Sequence, residues 1–384
     1  MPDSQMKTTM LLTSLLLTTA FAFTSVANEK SAAVAYLKGV QKGGLQMRDI
    51  GRMSFGPKGL LLVSEPSAAA IVAIDTGDTG SVKKLKQRVD DIEGVVAGSL
   101  GAPRDKVQII DMAVNPKSGL IYLSIKANNQ PAILTVDANG QVAALDFSKA
   151  AHVKATLPTK EGVRFGRITD LAFTEERIVV AATSREEFSN KIYTLPLPLK
   201  HGEAADYISA ETYHVAHRRW ETKAPIQSFI PYEENGKDYV VGAFACTPVA
   251  KFPIDDIQPG AEIRGTSVLE LGSGNRPRDM FTYTSGGKTW VVTNTERFKK
   301  NLFGPSKYWG ARIDMKYLEA DSADATNEKA PRRNVKVTAG ENAKGIEVVQ
   351  ELFGAILVSQ LKNNEIVVVR ETGDKKALEL ARLP

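Results

Sequence analysis

The chain has 384 residues, 43% of them apolar, and a formal net charge of +5. That apolar share is enough for a packed core, and so mild a charge, with no long block of one sign, excludes a nucleic-acid-binding arm. A single cysteine, Cys246, excludes an internal disulfide, so stability must come from burial and hydrogen bonding.

In chain order the first element is a leader. Lys7 supplies a short positive region, Met10 to Phe23 carries no charge, and Ser25-Val26-Ala27 places small residues where a signal peptidase reads. Residues 1–27 are therefore expected to be a signal peptide, and the protein secreted or periplasmic. No membrane span is expected after cleavage, because the apolar run is shorter than the ~20 residues a span needs. Residues 28–384 are read as one domain and as a monomer.

From Arg52 onward a strand–turn–strand unit recurs. Its clearest copy runs from Gln108 to Ser124, with the turn at Asn115-Pro116-Lys117-Ser118-Gly119. The copies align on Arg52, Asp111, Asp170, Ser228, Asp279 and Glu347, about 59 residues apart. Each is followed by a second strand: Leu60–Val63, Leu120–Ser124, Ile178–Ala182, Tyr239–Ala245, Thr289–Val292 and Ala355–Ser359. Third strands follow at Ala70–Ile74, Ala132–Val136, Lys191–Leu195, Ala250–Ile254, Tyr308–Asp314 and Glu365–Arg370. Several short strands per unit at this period predict propeller blades rather than a helical solenoid. The expected fold is all-β, a six-bladed β-propeller with seven blades as the alternative. An N-terminal strand around Ala33–Val40 is expected to enter the last blade and close the ring. Two departures mark loops: 82–102, with a short helix within 87–100, and the polar stretch 319–342, read as a flexible insertion.

The pattern resembles the group of secreted six- to seven-bladed propellers that includes the NHL and YVTN repeat proteins. The resemblance rests on Ile110-Asp111-Met112-Ala113-Val114-Asn115-Pro116, Gly119-Leu120-Ile121-Tyr122-Leu123 and the closing Leu134-Thr135-Val136-Asp137-Ala138-Asn139-Gly140-Gln141-Val142. It implies a fold and leaves the activity open, since such propellers host many functions.

In a propeller the first strand of each blade lines a central channel, so the aligned residues should meet there. Asp111, Asp170, Asp279 and Glu347 are candidate ligands for a cation, Ca²⁺ being favoured because only oxygen donors are on offer. The competing reading has these acids accepting from backbone amides and pairing with arginine. The loops entering the strands are basic, and Arg48, Arg52, Arg167, Arg276 and Arg278, with Ser228, Asn294 and Arg297, are candidate binding residues. Cys246 is expected near the same mouth, where neighbouring arginines would favour its thiolate. His214 and His217 are too weak a pair to specify a metal. No serine elbow, phosphate loop, His-Glu-x-x-His or haem motif is present.

The favoured reading is a binding module whose basic rim and acidic channel mouth engage a small anionic ligand or an exported protein partner. One alternative is a Ca²⁺-dependent hydrolase of the lactonase or phosphoesterase kind. Another is a redox or copper-associated propeller that uses Cys246.

Overall fold

The computed structural model describes residues 35–255, 258–298, 304–319, 324–333 and 340–384. The expected signal peptide, and residues 33–34 of the expected closing strand, lie outside them.

The second and third strands of every unit but the last fall where the sequence places them. Leu60–Glu65, Ile121–Ala127, Arg177–Ser184 and Lys237–Phe244 are runs of aliphatic and β-branched residues, buried over most of their length. Each pairs antiparallel with an innermost strand on one side and a third strand on the other. The hairpins between them use residues that accept a left-handed backbone. Asn235 and Gly236, at φ 54° and 72°, join Ile226–Glu234 to Lys237–Phe244. The expected short helix is Ile92–Leu100. The Asp91 carboxylate caps its first turn by accepting from Gly94 N, and Gly101 at φ 60° ends it.

Side-chain alternation fixes the order of the sheets. Within Leu60–Val63, Leu60 and Leu62 pack with Leu171, Ile178 and Val180, while Leu61 and Val63 pack with Ala113, Tyr122 and Ile133. One strand thus faces the unit beginning near Asp170 on one side and the unit beginning near Asp111 on the other. In the same way Leu123 and Ile125 meet Leu357 and Val367, and Val292 meets Val358 and Val368. Innermost strands Met53–Phe55, Val107–Val114, Ala355–Lys362, Glu262–Ser285, Ile226–Glu234 and Phe165–Phe173 touch in that order, and the last touches the first. Sheets stacked face to face about a channel make this a β-propeller.

The chain does not visit the sheets in spatial order. After the sheet of Val107–Val114 is complete, Ala151–Thr156 returns to pair with Ala70–Asp75 in the preceding sheet. The sheet that starts at Phe165 then lies on the far side of that one. Glu262–Ser285 serves three sheets. Its residues Glu262–Gly265 pair parallel with Ser209–Thr212, Thr266–Glu270 pair with Pro248–Lys251, and Asn275–Ser285 pair with Lys288–Arg297.

Three expectations need correction. The N-terminal residues do not enter the last sheet: Leu37–Lys38 pairs parallel with Leu199–Lys200, and Gln41–Lys42 pairs with Ala151–Thr156. The last sheet is Ala355–Lys362, Glu365–Thr372 and Lys375–Arg382, joined at its outer edge by the bridge Val89–Leu378. Consequently Ala355–Ser359 belongs to an innermost strand rather than a second one, and Glu365–Arg370 to a second rather than a third. Within 319–342, the described residues 324–333 are anchored. Ser267 N donates to Ala325 O, Glu270 N to Pro331 O and Arg333 N to Glu270 O. The remainder of that expected insertion lies outside the described residues, except 319 and 340–342.

Candidate functional site: the channel cluster and the basic face

Arg52 stands at the entry of its innermost strand and reaches three other sheets. Its guanidinium donates to Asp111 Oδ1 at 2.7 Å and to Asp279 Oδ1 at 2.9 Å, with Asp170 Oδ1 at 3.8 Å. It also donates to the Arg278 carbonyl. The second oxygen of each carboxylate is used as well. Asp111 accepts from Met53 N at 2.7 Å, Asp170 from Phe229 N at 3.0 Å, and Asp279 from Val358 N at 2.8 Å. Ser228 Oγ adds a 2.6 Å bond to Asp170, and Asn294 Oδ1 accepts from Asp279 N at 2.9 Å. Each carboxylate thus accepts from the amide that follows the aligned position in a neighbouring sheet: Arg52+Met53, Ser228+Phe229, Leu357+Val358. Together these bonds tie the innermost strands to one another.

The cluster explains why Glu347 is not in it. Position 357, not 347, holds the sixth aligned place, and it is a buried leucine. Glu347 lies in Ile346–Val348 at the outer part of the preceding sheet, where Arg312 binds its Oε2 at 2.7 Å. The aligned period failed there because the chain between Asp279 and Leu357 carries the extra segment around 319–342. The cation that the ring of acids was expected to gather is the Arg52 guanidinium, and the Ca²⁺ set of Asp111, Asp170, Asp279 and Glu347 is not assembled. Among the described residues, no three His, Cys, Asp or Glu side chains converge to hold a metal.

Electrostatics follow from burial and the charge count. Burial works against the Arg52 charge, but Asp111, Asp279 and Asp170 outweigh it and push its pKa up. Burial lifts Asp111 to about 7, against the pull of Arg52 and the Met53 amide and with the repulsion of Asp279 and Asp170. Asp170 is raised chiefly by burial. Three acids around one guanidinium in a dry site retain a proton more readily than free carboxylates do.

On the entry side of this cluster lies the basic face. Glu296 faces Arg276 at 3.9 Å, Arg278 at 3.4 Å and Lys307 at 3.7 Å. Arg167 donates to Gln227 Oε1 at 3.3 Å; partial desolvation of its guanidinium and the nearby Arg276 both lower its pKa. Arg276 also sits 5.7 Å from the Phe298 ring, which is 49% exposed. Arg167, Arg276 and Arg278 are thus gathered as the sequence predicted, and Lys307 is a member that the repeat alignment missed. Arg48 is exposed and is fixed by its amide, which donates to Glu65 Oε1. Asn294 is buried and holds Ala355 O and Ile356 O, so its role is structural. Arg297 is buried and donates to Ser273 O at 2.8 Å.

Cys246 pairs with Asn275 in register, beside Arg297, at φ 88°, a backbone region that a residue with a Cβ seldom occupies. It does not line the channel. It lines a separate cavity of about 140 Å³ with His214, His217, Arg219, Glu221 and Pro248. His214 and His217 stack edge to face at 4.0 Å, and burial, with His217 adding to it, pushes His214 down to about 4. Cys246 lies 32 and 29 residues along the chain from these histidines, and only sheet pairing brings them together.

No protein-family model matches the chain, and no curated protein matches its sequence. Among solved structures, the PQQ-bound form of an aldose sugar dehydrogenase from Streptomyces coelicolor aligns at 12% identity and TM-score 0.34, over 90% of this chain and 98% of that one. The xyloglucan-locus GH43B protein of Bacteroides ovatus aligns at 10% identity and TM-score 0.36, over 72% of this chain and 52% of that one. A chain of a mitotic checkpoint complex aligns at 9% identity and TM-score 0.32, over 98% and 99%.

Proposed function

We propose that this chain is a six-bladed propeller that works as a binding module, exported by its N-terminal leader. Its basic face would take an anionic ligand or an acidic patch on an exported partner. The observation that carries this reading is the charge around Glu296: Arg276, Arg278 and Lys307 share one carboxylate, with Arg167 beside Arg276. Like charges held this close cost folding free energy, and an anion bound in forked contacts by the guanidinium groups offsets that cost. The hydrolase alternative loses its support because Glu347 lies in the outer part of a sheet with Arg312, and the Arg52 guanidinium stands among Asp111, Asp170 and Asp279 where a metal would sit. The copper alternative loses support because, although Cys246 shares a cavity with His214, His217 and Glu221, no three His, Cys, Asp or Glu among the described residues are placed to hold a metal.

Calorimetric titration with inorganic tripolyphosphate tests the proposal. Binding should weaken as salt rises and should fall by about 10-fold or more in the double variant R276E/R278E. Equal binding by the variant, or none by either protein, would remove the basis of the assignment.

A further inference from the structure

The channel opens away from the basic face. Beyond the Arg52 cluster is a cavity of about 750 Å³, lined by the cluster itself and by the residues that follow it in each innermost strand. None of Arg167, Arg276, Arg278, Asn294, Arg297 and Cys246 lines it. Its walls carry Phe55, Phe173 and Phe281, each only half buried, and Met280. Two of these rings are packed against neighbours. Phe55 packs edge-on to Tyr122 at 4.9 Å, and a Cβ on Gly56 would sit 2.3 Å from the Phe173 ring, so that strand leaves the space that Phe173 fills. Half-buried apolar rings lining an open cavity forgo burial that a ligand would complete.

The floor selects the sign of that ligand. Three carboxylates meet one guanidinium there, and Asp170 and Asp279, whose side chains keep 13% and 10% of their exposure, line the cavity. Lys117 and Lys362 stand at the outer end, exposed, where solvent screens them. We propose that this cavity binds a small organic cation with an apolar body, its ammonium directed at the Asp170 and Asp279 carboxylates and its body against Phe55, Phe173 and Phe281. Phenylalanine faces suit such a cation, since the ring quadrupole attracts positive charge where water is excluded. The proton that burial holds on Asp111, among Arg52, Asp170 and Asp279, is displaced when the cation arrives.

The probe is hexylammonium, titrated calorimetrically into the full chain beside hexanoate and hexanol. Hexylammonium should bind about 10-fold or more tighter than either. At pH 7 its heat should change with the ionisation enthalpy of the buffer, reporting proton release. The variants F173A and F281A, on separate sheets, should each weaken it several-fold, roughly the worth of one cation–π contact. The variants F173A and F281A should leave tripolyphosphate binding unchanged, which separates this site from the basic face. Hexanoate binding as tightly as hexylammonium, no binding by any of the three, or indifference to both phenylalanine variants would each overturn the proposal.

Discussion

Two charge clusters in this molecule are inverse copies of each other. In the channel one guanidinium, Arg52, is surrounded by Asp111, Asp170 and Asp279; on the entry face one carboxylate, Glu296, is surrounded by Arg276, Arg278 and Lys307. The first is dry: its side chains are 17%, 2%, 13% and 10% exposed. Its shortest ion pair is 2.7 Å, and every carboxylate also accepts from an amide of another sheet. The second is wet, with 48% of Arg276 and 41% of Lys307 exposed, and its contacts run from 3.4 to 3.9 Å. Where geometry is close and water excluded, charge first ties strands together; where contacts are long and hydrated, it adds little to the fold.

The largest expected effect tests the first half of that contrast. Arg52→Met leaves three carboxylates buried around an apolar side chain, and stability should drop by about 3–5 kcal/mol in denaturant unfolding. A loss under 1 kcal/mol would mean that the cluster is no better than a surface network. Ser228→Ala removes a 2.6 Å bond to Asp170 while leaving the Phe229 amide in place, and should cost about 1.5–3 kcal/mol.

A pH series sharpens the contrast. Asp111 is raised from 3.8 to about 7 by burial, so between these values the folded protein holds a proton that the unfolded chain has released. The stability this group contributes is present below about pH 4 and lost as pH rises through about 7. Unfolding free energies measured from pH 5 to 8 should decline, and Asp111→Asn should flatten that decline. An unchanged slope would assign the effect elsewhere. The smallest effect belongs to the wet cluster. Glu296→Gln should shift stability by no more than about 0.5 kcal/mol while tightening tripolyphosphate binding, because only a competitor for the arginines has gone. A large destabilisation would place Glu296 among the structural pairs instead.

The sequence by itself determined the strand units, the hairpins and most of the channel lining. The aliphatic and β-branched runs Leu60–Val63 and Ile178–Ala182, the Asn-Gly turns and the recurring Asp are local signals, and local signals survive being read along one dimension. It also brought Arg52, Asp111, Asp170, Ser228 and Asp279 together correctly, since an even period places aligned residues about one axis. Only the tertiary structure decided that Arg52 occupies the centre of the acids, that Leu357 replaces Glu347, and that Ala151–Thr156 turns back to an earlier sheet. The reason is that pairing energy depends on which edge is open when the chain arrives, and no spacing in the sequence records that. The same holds for Cys246 and His214, and for the separation of the basic face from the phenylalanine-lined cavity. Each rests on which end of a strand a side chain leaves from, a choice fixed by register across sheets rather than by the residues themselves.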